Sequence, residues 1–170
     1  YKQRVRWLIT NLATALVAAT IISLFEGTIS KMVALAALMP IVAGVGGNAG
    51  TQTMAVTVRA LATNQLTDSN TLRTIRREIA VALLNGASVA AVIGIAVTVV
   101  YANIHLGFVI AAAMMANILI AGLAGVVVPL SLDRLRADPA VASSIFVTMT
   151  TDSMGFLVFL GLATISGLVH

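Results

Sequence analysis

Five apolar runs, each long enough to cross a bilayer, leave this chain almost no surface with which to face water. They lie at about 8–25, 32–58, 79–101, 107–132 and 140–168. Hydrophobic residues make up 59% of the 170 and charged residues 9%, too lopsided a balance for a soluble domain of this size to bury. The expected fold class is therefore an all-α membrane protein with five transmembrane helices, built as a single domain over residues 1–170. The absence of cysteine fits any compartment and decides nothing.

The connections support this count. Trp7 follows a short basic segment and suits a membrane interface. The first run lacks a small-residue cleavage site and is followed by further apolar runs, so it reads as a helix rather than a signal peptide. Glu26 to Lys31 reads as a short turn, 61–77 as a polar linker in which Ser69 or Thr71 caps a helix, and 102–106 as a loop. Asp133 to Pro139 forms the last connection, with Pro139 in the first turn of the final helix. Nine of the ten basic residues then fall on one side: Lys2, Arg4, Arg6, Arg59, Arg73, Arg76, Arg77, Arg134 and Arg136, with Lys31 opposite. The positive-inside rule places the N-terminus in the cytoplasm and His170 outside a cell membrane crossed several times.

Within the second run lies PIVAGVGGNAGTQT, Pro40 to Thr53. Pro40, Gly44, Gly46, Gly47 and Gly50 are expected to loosen the helix there, and Asn48, Thr51, Gln52 and Thr53 put polar groups where lipid offers no partner. Such a stretch reads as one wall of a membrane pathway, although the GxxxG spacing of Gly46 and Gly50 also serves helix packing. Small residues at Ala113, Ala116, Ala121, Gly122 and Gly125 suit close packing in the fourth run, Asn85-Gly86 lets a neighbouring helix approach, and Asn11 and Asn117 suit interhelical hydrogen bonds.

Asp152 is the one acidic residue well inside a run. Burying a lone carboxylate at the bilayer centre costs about 2.5–3.5 kcal/mol on insertion scales, so it should face a cavity or a partner. No basic residue lies at its depth, which makes a cation the natural partner. Ser144, Thr148 and Asp152 recur every four residues, one polar stripe along a helix. Asp152 and Asn48 both lie roughly 17–20 Å from the same membrane face at ~1.5 Å per residue, so the motif and the acid can meet near the midplane. Oxygen donors of this kind suit Mg²⁺, Mn²⁺ or Ca²⁺. One carboxylate per chain balances a divalent ion poorly, and a two-fold homodimer would supply two. Few aromatics and no basic run beyond the membrane flanks leave no footprint for nucleic acid. There is no Walker lysine motif, no HExxH and no paired catalytic carboxylates, so no enzyme is expected.

The stretch from Pro40 to Thr53, together with Asp138-Pro139, Thr151-Asp152 and Met154-Gly155, resembles the transmembrane domain of the MgtE magnesium channel family, to which a group of eukaryotic carriers is related. The likeness covers essentially the whole chain, including Phe25-Glu26-Gly27 and Leu84-Asn85-Gly86. It implies a homodimer whose pore is lined by the second and fifth helices, with Asp152 binding hydrated Mg²⁺. It further implies metal contacts from the Thr148 backbone carbonyl and from Ser144, where some members carry a larger amide. Pro40, Gly44, Gly47, Asn48, Thr51, Gln52 and Thr151 are the expected pore-lining residues. Members usually carry cytosolic magnesium-sensing domains ahead of the first helix. These residues hold none, so the chain is expected to be the pore domain, with regulatory domains in the full-length protein. A coupled divalent-cation carrier and a non-transporting membrane assembly subunit are the alternative readings.

Overall fold

The computed structural model describes residues 2–66, 70–136 and 139–168. Among them the chain forms six helices and no strand: α1 (Lys2–Leu24), α2 (Glu26–Lys31), α3 (Val33–Ala62), α4 (Thr71–Tyr101), α5 (Ile104–Arg134) and α6 (Pro139–Ile165). All but α2 are long and apolar enough to cross a membrane. The five expected spans are met. The segment from Glu26 to Lys31 is one short helix rather than a plain turn, set off from α3 by the extended backbone of Met32. The polar linker is shorter than expected, because α3 and α4 continue into it as far as Ala62 and Thr71. Asn70 stands at the N-cap of α4, while Ser69 and Asp138 lie outside the described residues. Pro139 opens α6, where its missing N–H has no helical partner to lose.

α5 is the hub. More than half of its most apolar window, 56%, is buried inside the protein, against 6% for α1. The reason is its sequence of small side chains. A Cβ on Gly122 would lie 2.9 Å from Cβ of Ala82 on α4, and one on Gly125 would lie 2.8 Å from the Gly50 carbonyl oxygen on α3. α4 answers with Ala82, Gly86, Ala90 and Gly94 at four-residue intervals, all buried. Helices in lipid gain nothing from hiding apolar surface from one another, so this close approach and the dispersion contacts it creates hold them together. A core of Leu35, Leu38, Val42, Ile110, Met114 and Phe159 joins α3, α5 and α6. α1 packs chiefly on α6 and keeps Leu8, Ile9, Leu12 and Leu16 exposed, a surface suited to acyl chains. Asn11 also lies on that exposed helix, and its side chain makes no hydrogen bond to another helix among the described residues, in contrast to Asn117.

α3 runs unbroken through the glycine motif. The loosening expected of Pro40 and four glycines does not occur. The missing side chains are compensated by neighbours: Gly46 and Gly50 are buried, and Val147 of α6 stands where a Cβ on Gly50 would sit, 2.7 Å away.

Candidate functional site

α6 presents two adjacent stripes. Ser143, Val147, Thr151, Gly155 and Phe159 are buried at steps of four, facing α3 and α5. Ser144, Thr148 and Asp152, one residue further round, are half-buried. The acid therefore sits at the rim of the packed seam and not inside it. No described residue gives its carboxylate a hydrogen bond or an ion pair.

The seam is tight. Thr151 is 0% exposed, and its hydroxyl donates to the Thr148 carbonyl oxygen at 3.0 Å. That oxygen has two lone pairs, and the helical N–H of Asp152 addresses the other. The Thr148 carbonyl is thus already engaged, which suits contact with an ion's water shell better than direct ligation. Across the seam, a Cβ on Gly47 would meet only the Thr151 hydroxyl oxygen, at 3.8 Å.

The glycine motif divides between two faces of α3. Pro40, Gly44, Gly47 and Thr51 form one stripe, open or half-open along its length. Thr51 donates its hydroxyl to the Asn48 carbonyl oxygen at 3.0 Å. Asn48 and Gln52 turn the other way, into a crevice between α3 and α4. There they meet Asn85 and Ser88 around a cavity of about 310 Å³. An adjoining cavity of about 240 Å³ shares Gln52 and Asn85 and reaches Thr53, Arg77 and Glu78. The Thr53 hydroxyl donates to Glu78 Oε2 at 3.4 Å. Sequence places Asn48 and Gln52 on the same wall as Gly47, whereas here they share a crevice with Asn85 and Ser88 of α4. The spacing of Glu78, Asn85 and Ser88, seven and then three residues apart, was the available signal for one polar helical face.

Comparison with known proteins bears on this arrangement. The family model for MgtE, described as a divalent cation transporter, matches residues 39–162. The chain belongs to the MgtE family. The match begins one residue before Pro40 and takes in the glycine motif, the α4 crevice residues and the Asp152 stripe. Magnesium transporters MgtE from Enterococcus faecalis and Bacillus subtilis are 41% and 36% identical to the chain over 162 residues, covering 95% of it and 36% of each relative. The Magnesium transporter MgtE of Thermus thermophilus is 34% identical over 94% of the chain and 35% of its own length. The chain thus spans about a third of the length of these MgtE relatives.

Proposed function

We propose that this chain carries hydrated Mg²⁺ across a cell membrane through a channel-like pathway at the axis of a homodimer, walled by α3 and α6 of each protomer. The observation that carries the reading is Asp152: a carboxylate inside an apolar span, half-open and with no hydrogen-bond or ion-pair partner among the described residues, on the helix that packs against the glycine motif. The relatives' designation as magnesium transporters supplies the ion.

The chemistry follows from the donor set. Mg²⁺ sheds water reluctantly and commonly keeps several waters while leaning on one or two carboxylates. Among the described residues no three His, Cys, Asp or Glu side chains converge into a metal cage. A hydrated ion needs none: two Asp152 carboxylates across the axis attract it, while the Ser144 hydroxyl and the Thr148 carbonyl contact its water shell. Mn²⁺ and other oxygen-seeking divalent ions fit the same donors. Pro40, Gly44, Gly47 and Thr51 line the pathway with little side-chain bulk, Thr151 backs the wall from within the seam, and Asn48 and Gln52 meet water in the crevice. The N-terminus faces the cytoplasm, where the regulatory domains of the full-length protein would attach.

The reading is tested by reconstituting the purified chain in liposomes. Saturable Mg²⁺ uptake is expected, and folded protein that admits no ion would overturn the proposal. The dimer has its own test. Cysteines placed at Ser144 or Thr148 should cross-link two chains through their α6 helices, whereas a conducting chain that stays monomeric would remove the shared axis.

Gly47 gives a graded prediction. The nearest obstacle to a Cβ there is 3.8 Å away, ordinary van der Waals contact, so Gly47→Ala should retain most uptake. Gly47→Leu pushes a branched side chain into the pathway and should lose it. Equal flux from both variants would show that this face of α3 lines nothing.

A further inference from the structure

One side chain touches both walls of the proposed pathway. Asn117 of α5 is 0% exposed. Its amide nitrogen donates to the Val42 carbonyl oxygen of α3 at 2.9 Å. A Cβ on Gly46 of α3 would lie 2.8 Å from Asn117 Cγ, and a Cβ on Gly155 of α6 would lie 2.6 Å from its Nδ2. Two glycines on two helices thus leave room for a single amide.

The placement matters in three ways. Val42 lies two residues after Pro40, which supplies no N–H to the preceding turn, so α3 lacks one of its backbone hydrogen bonds there. The hydrogen bond from Asn117 pins α3 just beyond that gap. Gly46 adjoins Gly47 on the open stripe, and Gly155 is three residues, about one turn, from Asp152. The amide therefore spaces α3 from α6 within one turn of the acid. Lastly, its Oδ1 is buried with no hydrogen-bond partner among the described residues, a state that costs stability. An apolar side chain would fill space without that cost, so packing alone does not explain an amide at this position.

We propose that Asn117 is a positioning residue for ion passage: its amide locks the register and spacing of α3 and α6 so that the Asp152 carboxylate meets the ion at the right distance. This rests on Asp152 being the group that attracts Mg²⁺.

Two measurements test it. Asn117→Leu keeps the branched outline, with bulkier methyl groups, and removes both the hydrogen bond and the orphaned oxygen. It should still fold, yet raise the half-saturating Mg²⁺ concentration in liposomes by about fivefold, within the range that residues touching no ligand exert on a distant site. A purely structural asparagine would leave half-saturation per folded protein unchanged, and that result overturns the proposal. The second measurement is thermal melting in detergent. Gly46→Ala drives a methyl group into the amide and should lower the melting temperature, and adding Asn117→Ala to the same chain should restore much of the loss. A double variant no more stable than Gly46→Ala alone overturns the clamp geometry. If the wild-type chain admits no Mg²⁺, the transport reading falls and this positioning role with it, while the melting comparison still decides whether the amide spaces the two helices.

Discussion

Asp152→Asn is expected to abolish Mg²⁺ uptake at low ion concentration while the protein stays folded. Asparagine has the size of aspartate and can still hydrogen-bond to an ion's water shell, but it carries no charge. A carboxylate and a divalent ion held about 5 Å apart by intervening water attract each other by about 7 kcal/mol at an effective dielectric constant of 20, against less than about 2 in bulk water. If desolvation and screening remove most of this and about 2 kcal/mol survives per carboxylate, one substitution still weakens the encounter about thirtyfold. In the dimer both carboxylates are lost together. Folding should not suffer, because the carboxylate makes no bond to any described residue and sits at the rim of the α3–α6 seam. Asp152→Glu should also conduct poorly, since an added methylene narrows the gap that must hold a hydrated ion. The decisive measurement is uptake by purified, folded Asp152→Asn protein in liposomes. Wild-type flux there would return Asp152 to a structural role.

The stripe that frames this acid was legible in the sequence because it depends on one helix. Ser144, Thr148 and Asp152 share a face by periodicity alone, and the structure leaves all three half-open. The five spans were legible for the same reason: each is decided by its own composition. What the sequence hid was relative. Pro40 and four glycines read as a loosened helix, since glycine and proline weaken an isolated one, yet α3 is continuous, and Asn117, Val147 and the α5 backbone occupy the space that Gly46 and Gly50 vacate. Asn48 and Gly47 are neighbours in the chain, but α3 turns about 100° between them. One therefore faces the α4 crevice and the other the α6 seam. Nothing in the motif itself says which neighbour stands on which side. Asn117 shows the same limit. Its type and depth suggested an interhelical bond, but the Val42 carbonyl as acceptor, and the two glycines that make room, emerge only when α3, α5 and α6 are placed together.

The glycines are thus not interchangeable, and their substitution by alanine should sort them sharply. Gly125→Ala is expected to be among the most damaging single methyls added to the helix packing. Its Cβ would lie 2.7 Å from Cβ of Thr53 and 2.8 Å from the Gly50 carbonyl oxygen. The second obstacle is backbone and the first is fixed to it, so no rotamer change relieves either contact. α3 and α5 must move apart by more than half an ångström, and with them goes the packing that seats α3 against the Asp152 helix. Overpacking of a close-packed interior costs about 1–3 kcal/mol, and a clash against backbone belongs at the upper end. Gly44→Ala supplies the control on the same helix pair: a Cβ there meets nothing within 4 Å and adds helix propensity of up to about 1 kcal/mol. In detergent, Gly125→Ala should therefore melt well below wild type and Gly44→Ala at or above it. Flux should fall with the fraction of Gly125→Ala protein that remains folded. Identical melting of the two variants would mean that α3 and α5 do not cross at Gly50 and Gly125, and the seating of α3 against α6 would have to be sought elsewhere.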